Sequence, residues 1–272
     1  MEVLTNCNSL KIAKHLREKI SPALLLRVGD QIDTKATWGI VDYASIQSIL
    51  RSYSGRQETI YVFLITDTCE VYHIPKNVRL YRTSLIASKK QANEFVLPYI
   101  WEGISPAFPP LLRTEKPIIG FCGLVSPHRR QTLNDFASDS RFTTNYILRN
   151  QFWGGNPHNE TIVSDFEENM KASHFNIGNR GAGNFSMRFY QTLSAGRIPI
   201  LLNTDMELPL MDKIDWNNYI IVANTPKELL EKTWIFWNTR NISDAQTKCK
   251  EIYDTYFSGT RYLDYVLRTA TP

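Results

Sequence analysis

The sequence predicts an α/β protein built from two parallel-sheet domains, on three observations. Its 272 residues exceed one usual domain, which runs to about 100–200 residues. Short apolar runs alternate with helix-period stretches in both halves, the βαβ rhythm of parallel sheets. That rhythm breaks once, where Pro106, Pro109, Pro110 and Pro117 follow one another. The reading therefore gives a first domain over 1–112, an interdomain linker at about 103–117 and a second domain over 113–272, with the last helix free to cross back.

In the first domain, Leu10, Ala13, Leu16 and Ile20 share one helical face, and Ser21-Pro22 ends that helix. Residues 23–28 read as a buried strand that stops at Gly29-Asp30. A helix over 43–53 puts Tyr43, Ile46, Ile49 and Leu50 on one side, with Gly55 closing it. Strands are expected at 60–65, 78–82 and 95–97, and a helix near 85–92. In the second domain the pattern gives a strand at 117–122, a helix near 129–137 and a strand near 145–148. Ser164-Asp165-Phe166-Glu167 is a capping box for a helix reaching Ala172. Another strand at 219–222 precedes Thr225-Pro226-Lys227-Glu228, a capping box with proline at the first helical position. Helices near 244–257 and 262–268 finish the chain.

Composition narrows the function. The net charge of +4 comes without a basic run, which argues against nucleic acid as a partner. Four cysteines far apart, with no C-x-x-C pair, read as reduced and mostly buried thiols. The N-terminus lacks the apolar core of a signal peptide, and no segment approaches about 18 uninterrupted apolar residues. The expectation is a soluble, cytoplasmic protein with no membrane span.

From His174 to Leu202 the chain reads strand, glycine-rich turn, helix, strand. Gly178, Gly181 and Gly183 allow positive φ and let a ligand approach the backbone closely. Ser186 is a good N-cap for a helix from Met187 to Ala195, and Gly196 a natural stop. Such a helix start offers N–H groups and partial positive charge to an anion. Arg180 and Arg188 flank it, making a phosphate cradle without a Walker lysine. A turn of this kind is also common as structure alone. A dinucleotide fingerprint fits poorly, because a third glycine would be needed where Ser186 stands. His128-Arg129-Arg130 follows Gly123 at the mouth of the second domain's first strand. Arg129 or Arg130 would add a diphosphate contact there, or the segment is a solvated basic helix start.

This stretch resembles the signature of exostosin-like glycosyltransferases. The resemblance rests on Arg180-Gly181, Ser186-Met187-Arg188, Phe189-Tyr190-Gln191 and Gly196-Arg197-Ile198-Pro199. It continues through Leu208-Pro209 and Ile214-Asp215-Trp216, and more loosely at Phe121-Cys122-Gly123. It covers the C-terminal half well and the N-terminal half only in strand rhythm. The resemblance implies a GT-B architecture, two Rossmann-like α/β domains facing a central cleft. It further implies inverting transfer from a UDP-sugar to a hydroxyl of an oligosaccharide or glycoprotein glycan. The donor site would comprise Arg180, Gly181, Gly183, Asn184, Ser186, Arg188 and Gln191, joined by Gly123, Arg129 and Arg130. Where the family has a ribose-binding glutamate, this chain has Gln191, a weaker acceptor. Animal and plant members are anchored in the Golgi, and this chain looks more like soluble microbial members or those of large algal viruses, in which case it would act in the host cytoplasm. For such a member a pentose such as xylose is the favoured donor.

Inversion by direct displacement needs a general base near the acceptor hydroxyl. By position it is expected at the first domain's strand ends: Asp33 and Asp30 after one strand, Asp67 after the next. Aspartate is also at home in turns. No two aspartates stand two apart and no cluster has metal-ligand spacing, so no metal or other cofactor is expected. The alternative is a catalytically silent nucleotide- or glycan-binding module, for which Gln191 speaks.

Overall fold

The computed structural model describes residues 2–5, 43–99, 103–104, 108–156 and 158–270. The helix read at 10–20, the strand at 23–28, and Asp30 and Asp33 lie outside them. The chain divides into two compact units. One is Met1–Tyr99 with Ala182–Phe185 and Asp205–Pro209; the other is Ile100–Gly181, Ser186–Thr204 and Leu210–Pro272.

The first unit holds a parallel sheet in the order β1 (Glu2–Thr5), β2 (Ile60–Leu64), β3 (Val78–Arg82) and β4 (Glu94–Val96). All of β2 is buried, as a continuous apolar run in a parallel sheet must be. Helix α1 (Tyr43–Ser52) contributes Ile46 and Leu50 to one core with Tyr53, Ile60, Val62, Leu64, Val78 and Leu80. The helix expected near 85–92 is only a 3-10 turn, Ala87–Lys89. Asp205 takes its donors: Ala87 N–H goes to the Asp205 carbonyl at 2.7 Å and Ser88 N–H to its carboxylate at 3.1 Å. β1 was not foreseen, since Glu2–Thr5 shows no periodicity over its four residues.

The second unit is doubly wound. Its strands are β5 (Ile118–Leu124), β6 (Thr143–Arg149), β7 (Phe175–Ile177), β8 (Ile198–Leu202) and β9 (Ile221–Ala223), all parallel in the order β6-β5-β7-β8-β9. The helices are α2 (Pro127–Ser138), α3 (Glu160–Lys171), α4 (Met187–Ser194), α5 (Pro226–Thr239), α6 (Ile242–Ile252) and α7 (Arg261–Ala270). A π turn, Tyr253–Phe257, runs on from α6. α7 is counted with this unit. α3 starts four residues before the capping box, because Asn159 caps it by accepting from Ile162 N–H at 3.2 Å. α5 opens as read, with Thr225 accepting from Glu228 N–H at 3.1 Å. Phe175 of β7 packs edge-on against Phe236 and Trp237 of α5, and Phe189, Tyr190 and Leu193 of α4 are fully buried.

The proline-rich stretch also belongs with this unit and is tied to it. Ile104 N–H reaches the Ser194 hydroxyl at 3.1 Å, and Arg197 reaches the Pro109 carbonyl at 3.1 Å. Leu111 exchanges two bonds with the Gln246 amide at 2.9 and 3.0 Å. Among the described residues no helix is long and apolar enough to cross a membrane.

Candidate functional site

Open parallel sheets bind ligands beyond the carboxyl ends of their strands, where the strand order reverses. In the second unit that reversal lies between β5 and β7, which lead into Gly123 and Gly178 respectively. Two arginine-bearing segments converge there.

Arg188, in the first turn of α4, donates from Nη2 to the Cys122 carbonyl at 2.7 Å and lies over the Phe121 ring at 4.5 Å. Its Nε and Nη1 are shut off from solvent and have no hydrogen-bond partner among the described residues. Arg129, in the first turn of α2, is buried and lies over the same ring at 5.6 Å. It donates to the carbonyls of Leu124 at 3.0 Å and Asn179 at 3.3 and 3.4 Å. Asn179 in turn fixes the turn after β7, giving its amide to Thr132 and accepting from Leu202 N–H, both at 2.9 Å. No carboxylate pairs with either guanidinium among the described residues. Burial, and then the charge of Arg129, push Arg188 down to about 9; burial pushes Arg129 down to about 10. Two desolvated cations without a counter-charge are costly, and an anion entering beside them relieves that cost.

The α4 start completes the arrangement. Ser186 caps it as read, accepting from Arg188 N–H at 3.3 Å, and Gly196 ends it at φ 65°. Ser126, at the α2 N-cap position, keeps its hydroxyl buried with no partner among the described residues.

No protein-family model matches the chain. It is similar to an exostosin-1 homolog of Caenorhabditis elegans, 27% identical over 106 residues, which is 38% of this chain and 28% of that protein. It is also similar to exostosin-1c of Danio rerio, 39% identical over 97 residues, 35% of this chain and 13% of that protein. The chain thus spans less than a third of the length of either relative. Among solved structures it is similar to TarM, with TM-score 0.43 and 11% identity over 84% of this chain and 58% of that one. The Staphylococcus aureus TarM variant solved with fondaparinux, α-GlcNAc-glycerol and UDP gives TM-score 0.41 and 11% identity over 84% and 59%.

The structure divides the expected donor residues. Gly123, Arg129, Gly181, Ser186, Arg188 and Gln191 belong to the second unit, as does Arg180, half-buried in the turn. Arg130 is exposed on α2. Gly183 and Asn184 belong instead to the first unit. Asn184 donates its amide to the carbonyls of Leu85 at 2.8 Å and Asp205 at 3.2 Å. None of Gly178, Gly181 and Gly183 uses the positive φ open to it. Space is what matters at two of them: a Cβ on Gly178 would stand 2.6 Å from the Leu201 side chain, and one on Gly183 2.8 Å from Asp67 Oδ1. Gln191 is buried.

His174 is structural: Nδ1 accepts from Ile118 N–H at 3.1 Å and Nε2 faces the Leu112 carbonyl at 2.9 Å. Asp67 lies exposed beyond β2, accepting from the Tyr99 phenol at 3.0 Å. Among the described residues no three of His, Cys, Asp and Glu are grouped to hold a metal ion. Sequence reasoning missed Asn179 and the Phe121 platform. The glycine following Phe121-Cys122 was the one signal that pointed there.

Proposed function

We propose that the chain is a glycosyltransferase of GT-B type that moves a sugar from a UDP-sugar to a hydroxyl of a glycan acceptor. The observation that carries this is the Arg188–Arg129 pair, buried over Phe121 at the strand reversal with no carboxylate and with Nε and Nη1 of Arg188 unpartnered. The ligand that suits it is a diphosphate. The likeness to exostosins over about a third of the chain supports a nucleotide sugar as its source.

Charge-assisted hydrogen bonds contribute about 1.5–3 kcal/mol each and a helix start about 0.3–1. The arginines therefore dominate stabilisation of the departing UDP, with the α4 start adding to them and Gln191 accepting from the ribose. Transfer inverts the anomeric carbon, as the resemblance to exostosin-like enzymes implies, and needs no metal, for which the lack of Asp-x-Asp in the sequence speaks. The first unit supplies the acceptor base, and Asp67 is the candidate among the described residues. For the donor we propose xylose, on the resemblance to the members that large algal viruses carry.

A thermal-shift screen with UDP, UDP-xylose, UDP-glucuronate, UDP-galactose, UDP-arabinose and UDP-N-acetylglucosamine, followed by a UDP-release assay, tests this. Stabilisation by UDP and turnover of one donor are expected. Stabilisation without turnover of any donor, with or without glycan acceptors, assigns the chain to the binding-module alternative. No stabilisation by UDP overturns both.

A further inference from the structure

The carboxyl end of the first unit's sheet carries a polar cluster that the donor site does not use. Asp67 follows β2, Ser84 follows β3 and Tyr99 follows β4. The Tyr99 phenol is buried and donates to Asp67 Oδ1 at 3.0 Å, while Asp67 itself is exposed and its Oδ2 has no partner among the described residues. Ser84 accepts Asn184 N–H at 2.5 Å, and Gly183 is pressed against Asp67 so closely that a Cβ there would stand 2.8 Å from Oδ1. Asp67 is therefore held on one side by a phenol and on the other by backbone, with one oxygen turned to solvent. Burial and then the Asp67 charge push the Tyr99 phenol far up, so it remains a donor at any working pH.

We infer that Tyr99 is a positioning residue for Asp67, fixing Oδ1 so that Oδ2 receives the proton of the acceptor hydroxyl. This rests on the glycosyltransferase reading above. In the step, the acceptor O–H proton passes to Asp67 Oδ2. The acceptor oxygen bonds to the anomeric carbon, and the bond from that carbon to the diphosphate oxygen breaks, UDP leaving with the electron pair. A carboxylate free to rotate in solvent makes a poor base, because misplacement of about 1 Å costs up to about 10²-fold. Polar and titratable groups around the pair include, among the described residues, Cys69 and Thr83 beside the phenol, Glu70 on the same loop, and the Arg82–Glu94 ion pair, whose arginine donates to the Thr68 carbonyl.

The test compares the parent with Asp67→Asn, Tyr99→Phe, the double variant and a chain carrying 3-fluorotyrosine at Tyr99. Calorimetry with UDP runs beside the rate of UDP release from UDP-xylose, or from whichever donor of the screen turns over, between pH 5 and 9. UDP affinity should be equal in all. Tyr99→Phe should slow release by about 10–100-fold and move the acid limb of the rate profile to higher pH, since the carboxylate loses a donor. Fluorotyrosine, a stronger donor that keeps the shape, should move that limb to lower pH and so decides the matter even if Tyr99→Phe fails to fold. The double variant should be no slower than Asp67→Asn. Parent-like rates and pH profiles in both Tyr99 variants overturn the inference while UDP binding and turnover keep the function. A parent that neither binds UDP nor releases it from any donor overturns the function and this inference with it.

Discussion

Gly123 and Arg188 fit only together: a Cβ on the glycine would lie 2.6 Å from Nη2 of the arginine, at a residue whose φ is 149°. The contact lets Nη2 reach the Cys122 carbonyl. Gly123→Ala should therefore push the guanidinium out of its seat and strain the backbone, at a cost of about 1–3 kcal/mol in stability. UDP affinity should fall at least about tenfold, a factor equivalent to about 1.4 kcal/mol. Chemical denaturation and calorimetry read the two effects separately. An alanine variant with parent affinity would show that the seat of Arg188 does not matter to the nucleotide.

Arg188→Ala tests the cation itself. UDP binding should weaken by about 1.5–3 kcal/mol, the worth of a charge-assisted hydrogen bond. Stability should change little, because the substitution removes a desolvated charge that has no carboxylate and a neighbour of its own sign. Arg188→Lys keeps the charge but cannot span from the Cys122 carbonyl to a phosphate, so it should recover only part of the loss. A folded Arg188→Ala with unchanged UDP affinity would remove the nucleotide from the site.

The pH dependence of stability should report His174. Burial pushes its imidazole below the ordinary 6.5, with the Arg197 and Arg113 charges adding to the effect. The folded chain then keeps this ring neutral where the unfolded chain protonates it. The stability it contributes is present above about pH 6.5 and is lost as pH falls toward the lower folded value, by up to about 1.4 kcal/mol per pH unit. His174→Gln should flatten the fall of stability below about pH 6.5, measured by urea denaturation. An unchanged slope would mean that the ring takes up its proton as readily in the folded chain as in the unfolded one.

Much of the second unit was legible because local signals agree with the fold there. Ser186, Thr225 and Gly196 cap where the sequence places them, and the apolar run Ile198–Leu202 is the strand it looks like. The proline-rich stretch is legible as a break in the rhythm, but proline cannot show which partners its neighbours will find. Here Arg197, Gln246 and His174 hold that stretch to the second unit. The cradle was legible as chemistry but not as geometry. Its glycines and arginines stand together in sequence, yet Ala182–Phe185 belongs with the first unit and Arg188 pairs with a strand more than sixty residues earlier. Tyr99 carried no signal at all, because only the sheet brings it to Asp67.

The loop that carries Asp67 is held by a buried ion pair, and this gives the last prediction. Arg82 Nε lies 2.6 Å from Glu94 Oε1, both side chains almost fully buried, and Arg82 Nη1 donates to the carbonyls of Glu70 at 2.8 Å and Thr68 at 3.4 Å. Glu94 thus anchors the arginine, and the arginine anchors residues 68–70. Glu94→Gln leaves that guanidinium buried without its counter-charge, which should cost about 3–5 kcal/mol. Replacing both residues together, Arg82→Met with Glu94→Leu, should restore much of that stability, since apolar residues of similar volume often serve as well as a buried pair. It should not restore the loop, because methionine offers nothing to the Thr68 and Glu70 carbonyls. The double variant should therefore melt near the parent temperature, bind UDP normally, and release UDP from its donor more slowly. A double variant with both parent stability and parent turnover would show that Arg82 supports the sheet alone and that Asp67 needs no help from it.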